Sequence, residues 1–469
     1  MQQSDERLSS LDATFLELEQ HEDGATMHIG GALIFEPLPE TGGPPSRDAL
    51  LELLGERLGR LPRFRMRLSQ ERVHGLQRPA WVLDPTFDVC AHVRRAALPA
   101  PGGDAEVDDW LGDFWSHRLD RSRPLWEMTL VDGLLDGRWM LATKTHHAMV
   151  DGVGSVDIGH ILLDGEPRPA PREALEDAVS DGAEDRRSRL PGWLPSALSA
   201  AHDVLDATVG TALHPRRLLK AGQATAAMGE VLWKDEVLGA RPSTMNVPIG
   251  STRRFVSVPF ALSEVKQVKQ GLGGTVNDVV LATCAGGLRT LLEHRGEQLD
   301  RPLRAMVPVN LRGEDHESLG NKVSSLFVEL PIGESDRRRR YDATRAAAGE
   351  LKSGTAALGA STIISVSGVL PPAVHGAIAE MLYSTRLCNL TITNVPGPQI
   401  ELYALGSRLR RIVPLVPLFK DHAIGIAIIS YAGELVFGVN VDRASNPDLD
   451  VLKRGLRDEF AALLALARA

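Results

Sequence analysis

The sequence predicts an α/β chain of the α+β kind, built as two sandwich domains whose mixed sheets are flanked by helices. Three observations predict it. Segments of alternating apolar and polar residues recur in both halves, interleaved with segments of helical period. Short Gly-containing turns join several of the strand-like segments, as in antiparallel hairpins. Between the halves, residues 164–194 become rich in Pro, Gly and charge, so the chain divides into 1–163, a linking region 164–250, and 251–469.

In chain order, Ser9 or Ser10 caps a short helix from Leu11 to Glu19, with Leu11, Phe15 and Leu18 on one face. A strand follows over residues 27–36. Ser46 caps a helix whose Leu50, Leu51, Leu54, Leu58 and Leu61 recur at helical spacing until Pro62. Trp81 to Val89 reads as a strand, and Asp104 opens a helix running through Trp110 and Phe114 to Leu119. Glu127–Asp132 and Trp139–Thr145 form a hairpin that delivers two histidines, His146 and His147. Beyond the linker, residues 196–232 are Ala- and Leu-rich with the basic group Arg216, Arg217 and Lys220. That stretch fits either a packed helix pair or an amphipathic element resting on lipid. The second half alternates the strand around FVSVPF, a helix Ser263–Gln270, and a second helix capped by Thr275. Strands follow at Arg304–Asn310, Ser324–Leu330, Leu390–Val395, Ala423–Ser430 and Leu435–Val441, then an amphipathic helix, Leu449–Ala467.

Composition narrows the function classes. A hydrophobic share of 43% and a charged share of 24% are those of an ordinary globular protein. A net charge of −9, with no basic stripe interleaved with aromatics, argues against nucleic acid as a partner. The 3 cysteines, Cys90, Cys284 and Cys388, are far apart and form no disulfide framework or CxxC pair, which fits a reducing interior. The N-terminus lacks an apolar signal core, and no run of about 18 apolar residues exists to span a bilayer.

Chemistry concentrates where the hairpin ends. A strand that delivers His146-His147 and turns at Asp151-Gly152 into a helical pattern puts an imidazole on a rigid support. Successive strand side chains diverge, so one histidine enters a cavity while the other packs behind it. Spacing alone leaves several readings open. They are two core histidines held by backbone, a general base supported by Asp151, and a metal site of two His and one Asp, which the divergence disfavours. Gly152 and Gly154 mimic the start of a dinucleotide loop, but the third glycine and second parallel strand are missing.

The whole string His146-His147-Ala-Met-Val-Asp151-Gly152 reproduces the HHxxxDG signature of the CoA-dependent acyltransferase superfamily. Pro124-Leu125-Trp126, Asn277-Asp278, MVPVNLR (Met306 to Arg312), GNKVSS (Gly320 to Ser325), TNVPGP (Thr393 to Pro398) and the N-terminal LSSLDATFL and MHIGGALIFE tracts resemble ordered blocks of one branch, the bacterial wax ester synthase/diacylglycerol acyltransferase family. The resemblance runs from about residue 8 to residue 442.

That resemblance implies two chloramphenicol-acetyltransferase-like domains with a tunnel along their interface. Acyl-CoA would enter from one side as co-substrate and the alcohol from the other, with no cofactor and no metal. By matched position His147 is the base, His146 its neighbour, and Asp151 turns away from the chemistry to pair with an arginine, for which Arg312 is the candidate. Gly152 completes the motif. Asn277 is a plausible oxyanion donor, and Pro124, Leu125, Trp126, Asp278 and Asn394 are expected around the substrates, with helix capping as an equal alternative for Asp278. An unperturbed imidazole pKa near 6.5 suits a base that passes an alcohol proton along during direct transfer. No GxSxG elbow or well-set cysteine offers an acyl-enzyme route. The implied donor is long-chain acyl-CoA, and the implied acceptors are diacylglycerol first and fatty alcohol second. The enzyme is expected in the cytoplasm, in peripheral contact with the inner face of the membrane or with lipid inclusions. A non-catalytic lipid-binding or coat protein and a carrier-protein-dependent condensation enzyme are the rival readings.

Overall fold

A computed structural model describes residues 6–8, 15–16, 19–20, 24–69, 80–149, 162–167, 240–310, 323–353 and 385–469. The expected helix at 11–19 shows only Phe15, Leu16 and Glu19 in helical backbone within that set, while the 168–239 part of the linking region lies outside it.

The first half runs β1 (Glu6–Arg7), β2 (His28–Phe35), α1 (Arg47–Arg57), β3 (Met66–Leu68), β4 (Ala80–Leu83), β5 (Val93–Ala97), α2 (Asp104–Ser116), β6 (Trp126–Asp132) and β7 (Trp139–His146). The second runs β8 (Arg253–Ala261), α3 (Leu262–Leu272), α4 (Val276–His294), β9 (Leu303–Asn310), β10 (Val323–Leu330), α5 (Arg337–Ser353), β11 (Leu390–Pro396), β12 (Tyr403–Ala404), β13 (Ser407–Leu415), β14 (Ile424–Tyr431), β15 (Glu434–Asp442) and α6 (Leu449–Arg468).

Two six-stranded sheets carry the architecture, ordered β12-β13-β2-β7-β6-β5 and β10-β9-β11-β14-β15-β8. In the first, every residue of β7 is buried because β2 and β6 flank it antiparallel and both faces are covered. Trp139 and Leu141 pack with Leu50 and Leu54 of α1. The alternate residues Met140 and Ala142 pack with Leu111 and Trp115 of α2 and with Phe255 of β8. Ser46 caps α1 by accepting from the Ala49 amide at 3.1 Å. The second sheet closes its core under α3, α4 and α6, with Val280, Leu288, Leu456 and Leu463 fully buried.

Three local expectations need correction. The strand anticipated over Trp81–Val89 stops at Leu83, because the Asp84 carboxylate accepts from the Thr86 amide and hydroxyl at 3.0 and 2.8 Å and turns the chain at Pro85. The helix from Asp104 ends at Ser116 rather than Leu119. The sheets also do not follow the halves. β13, from the second half, pairs antiparallel with β2 of the first sheet, and Asp164 bridges Tyr403 through backbone bonds of 2.7 and 2.8 Å. A buried link of the same kind joins α2 to the second half, where Asp108 accepts from the Ser257 amide and hydroxyl and meets Lys453 of α6 at 3.1 Å.

Candidate active site

Strand β7 ends at His146, whose amide donates to the Leu125 carbonyl at 2.9 Å; His147 opens a 3₁₀ turn, His147–Met149, and donates its amide to Met27 at 2.7 Å. The backbone therefore pins the two histidines to opposite neighbours, and their rings diverge as the strand period requires.

His147 is half-buried as a residue, and its ring lies against Phe15 with centroids 4.1 Å apart. Its Nδ1 is buried and, among the described residues, meets no hydrogen-bond partner. That leaves Nε2 as the nitrogen able to meet a hydroxyl. Phe15 in turn belongs to an apolar cluster with Ala25, Met27, Met306, Cys388 and Phe419, drawn from both halves of the chain. Burial, helped by the neighbouring His146, pulls the His147 pKa from 6.5 down to about 4. The expectation of an unperturbed imidazole is therefore corrected: the ring is neutral well below neutral pH.

His146 faces the other way. Its Nδ1 accepts from the Ala148 amide at 3.0 Å, and its Nε2 lies 3.3 Å from the carboxylate of Glu19. Glu19 also reaches His28 at 3.4 Å and Arg121 at 2.6 Å. Burial would raise the Glu19 pKa, but the two histidines outweigh it and hold the carboxyl well below its usual range. Burial likewise pulls His28 down to about 4. In the sequence Glu19 reads only as the end of a short helix, since nothing local marks a partner more than a hundred residues away.

These shifts fix a pH response. Below 6.5 the unfolded chain protonates His28 and His147, whereas the folded chain does so only near pH 4. Unfolding therefore takes up protons, and stability falls through that window. Asp108, which burial raises to about 6, acts in the opposite sense between about 6 and 3.8. Thermal melts from pH 7 to 4.5 are expected to show Tm falling, with a shallower slope in His147→Gln by up to about one proton.

The other expected site residues fall into two groups. Asp151, Gly152 and Arg312 lie outside the described residues, as does the remainder of the HHxxxDG loop. Asn277 stands in the first turn of α4, where its side-chain oxygen accepts from Asn394 Nδ2 of β11 at 3.2 Å. Thr391 of β11 pairs with Met306 of the apolar cluster, so Asn394 lies three residues, about 10 Å, further along the strand. Asp278, however, is a helix cap: its Oδ2 accepts from the Thr275 amide and hydroxyl at 2.7 and 2.8 Å.

Pro124-Leu125-Trp126, expected around the substrates, is packed into the first half of the chain. All three are buried, and the Trp126 ring stacks on His92 with centroids 4.5 Å apart while its Nε1 donates to the Phe64 carbonyl at 2.8 Å. The tract anchors the strand beside His146. Trp126→Phe removes that hydrogen bond and some volume, so it should cost about 1–3 kcal/mol in denaturant melts and leave kcat per folded molecule unchanged.

Residues 8–280 match the wax ester synthase/diacylglycerol acyltransferase catalytic domain, and residues 319–464 match the WS/DGAT C-terminal domain. A probable diacylglycerol O-acyltransferase of Mycobacterium tuberculosis is 31% identical over 98% of this chain and 96% of its own length. A second from the same organism is 34% identical over 96% and 97%. The solved wax ester synthase/diacylglycerol acyltransferase of Marinobacter aquaeolei is 25% identical with a TM-score of 0.70, covering 99% of this chain and 100% of that one. The first condensation domain of the calcium-dependent antibiotic synthetase shares the fold at 16% identity and a TM-score of 0.56, covering 99% and 97%. A histidine pair at the end of a buried strand, two sheets laced together by a crossing strand, and matches over almost the full length lead to one assignment: this chain is an acyltransferase of the wax ester synthase/diacylglycerol acyltransferase family.

Proposed function

We propose that the enzyme moves a long-chain acyl group from acyl-CoA to diacylglycerol, making triacylglycerol, and accepts fatty alcohols as a second class of acceptor. The observation that carries this reading is the neutral His147 ring beside an apolar cluster drawn from both halves. Such a surface suits an acyl chain, with the tunnel continuing along the interface.

Transfer is direct. The acceptor hydroxyl gives its proton to His147 Nε2 as its oxygen attacks the thioester carbonyl, forming a C–O bond and a tetrahedral oxyanion. The C–S bond then breaks, and the CoA thiolate recovers the proton from the imidazolium. A low pKa keeps His147 in the base form and makes the imidazolium a strong acid toward the departing thiolate. Asn394 engages the side-chain oxygen of Asn277, which leaves the Asn277 amide nitrogen free to donate to the oxyanion. Asp151 would hold the loop beyond His147 through an arginine such as Arg312.

Among the described residues no helix is long and apolar enough to cross a membrane. Contact with the cytoplasmic membrane face or lipid inclusions is therefore proposed as peripheral. Labelled palmitoyl-CoA offered to purified enzyme with diacylglycerol and hexadecanol, in excess chelator, tests the reading. Labelled triacylglycerol with equimolar free CoA is expected. Binding without ester formation would instead support a lipid coat protein, and activity lost to chelator would support a metal route.

A further inference from the structure

We propose that Glu19 is a positioning residue for acyl transfer: through His146 it holds the turn that presents His147. The proposal rests on the transferase reading above for its kinetic consequence, but its structural part stands alone.

Glu19, His28 and His146 are 3%, 1% and 1% exposed, so water does not screen them. The Ala148 amide points its proton at His146 Nδ1, so that nitrogen carries none. In a neutral ring the proton then sits on Nε2, which faces the Glu19 carboxylate at 3.3 Å as its nearest charged group and, among the described residues, completes no well-aligned hydrogen bond. Arg121 supplies the balancing charge at 2.6 Å and also donates to the Leu16 carbonyl at 3.1 Å, tying down the segment that carries Phe15. One carboxylate thus faces the Nε2 side of His146 and, through Arg121, connects to the segment that carries Phe15.

Removing the charge frees the tautomer. With Gln at position 19, the amide can present NH₂ to His146, which then accepts at Nε2 and carries its proton on Nδ1. That proton opposes the Ala148 amide and loosens the His147–Met149 turn. Small displacements of a catalytic group are costly, so Glu19→Gln should lower kcat about tenfold or more while KM for acyl-CoA stays within about twofold.

The test combines steady-state kinetics on the full chain with ¹⁵N-histidine spectra, the His146 signals being assigned by their loss in His146→Gln. Wild type should show Nε2–H for His146 at neutral pH, and Glu19→Gln should populate Nδ1–H and lose turnover. An unchanged tautomer in the variant, or unchanged kcat per folded molecule with only a lower Tm, overturns the proposal. Should the variant fail to fold, Nδ1–H in the wild type overturns it alone. Wild type that makes no ester sinks the transferase reading and, with it, the kinetic part of the proposal, leaving the tautomer to decide the structural part.

Discussion

His147→Ala is expected to lose about 10²–10⁴-fold in kcat, the range general-base catalysis supplies. The loss should fall on turnover, because among the described residues the ring packs on Phe15 of the apolar cluster and takes part in no ion pair. His146→Ala should behave differently. It strips the Ala148 amide of its acceptor and removes one of the groups packed on the buried Glu19 carboxylate, so soluble yield and Tm fall along with activity. Rates normalised to folded protein separate the two. Equal losses of turnover with unchanged Tm in both variants would remove the division of labour assigned to the pair.

Asn277→Ala is the second large effect, with an expected loss of about 10²–10³-fold in kcat, as for other single oxyanion donors. The N-terminal turn of α4 survives the change, since the cap there is made by Thr275 and Asp278. Asn394→Ala leaves the donor in place but frees its rotation, so a smaller fall is expected. If Asn277→Ala kept wild-type kcat, the oxyanion would have to be served by another group. Asp278→Asn should instead lower Tm, because two of the bonds that close the capping box terminate on its carboxylate.

Much of the framework is legible from local pattern. Strand β7 opens with the apolar run Trp139 to Ala142 after a glycine-containing turn, and α4 announces itself with Thr275 three residues before Asp278. What local pattern does not carry is which sheet a strand joins. β13 has ordinary alternation, yet it pairs with β2 across the chain because its partner lies some four hundred residues earlier. Edge strand β5, VRRAA, exposes its two arginines, and α5 opens with four arginines, so neither presents a long apolar face to read. The site divides in the same way. The HHxxxDG string points to His147 as the candidate base, but the depressed pKa of its ring depends on burial that local pattern does not show, with Phe15 against it. Glu19 matters only because the fold carries it to His28, Arg121 and His146.

The most direct check on a buried, neutral imidazole as the proton acceptor is the pH dependence of kcat/KM for diacylglycerol acylation. That ratio reports the base in the free enzyme. With His147 held near 4, the profile should stay flat from neutrality to about pH 5 and turn down with an apparent pKa of about 4. A downturn centred near 6.5, the value of a solvated imidazole, would contradict the account.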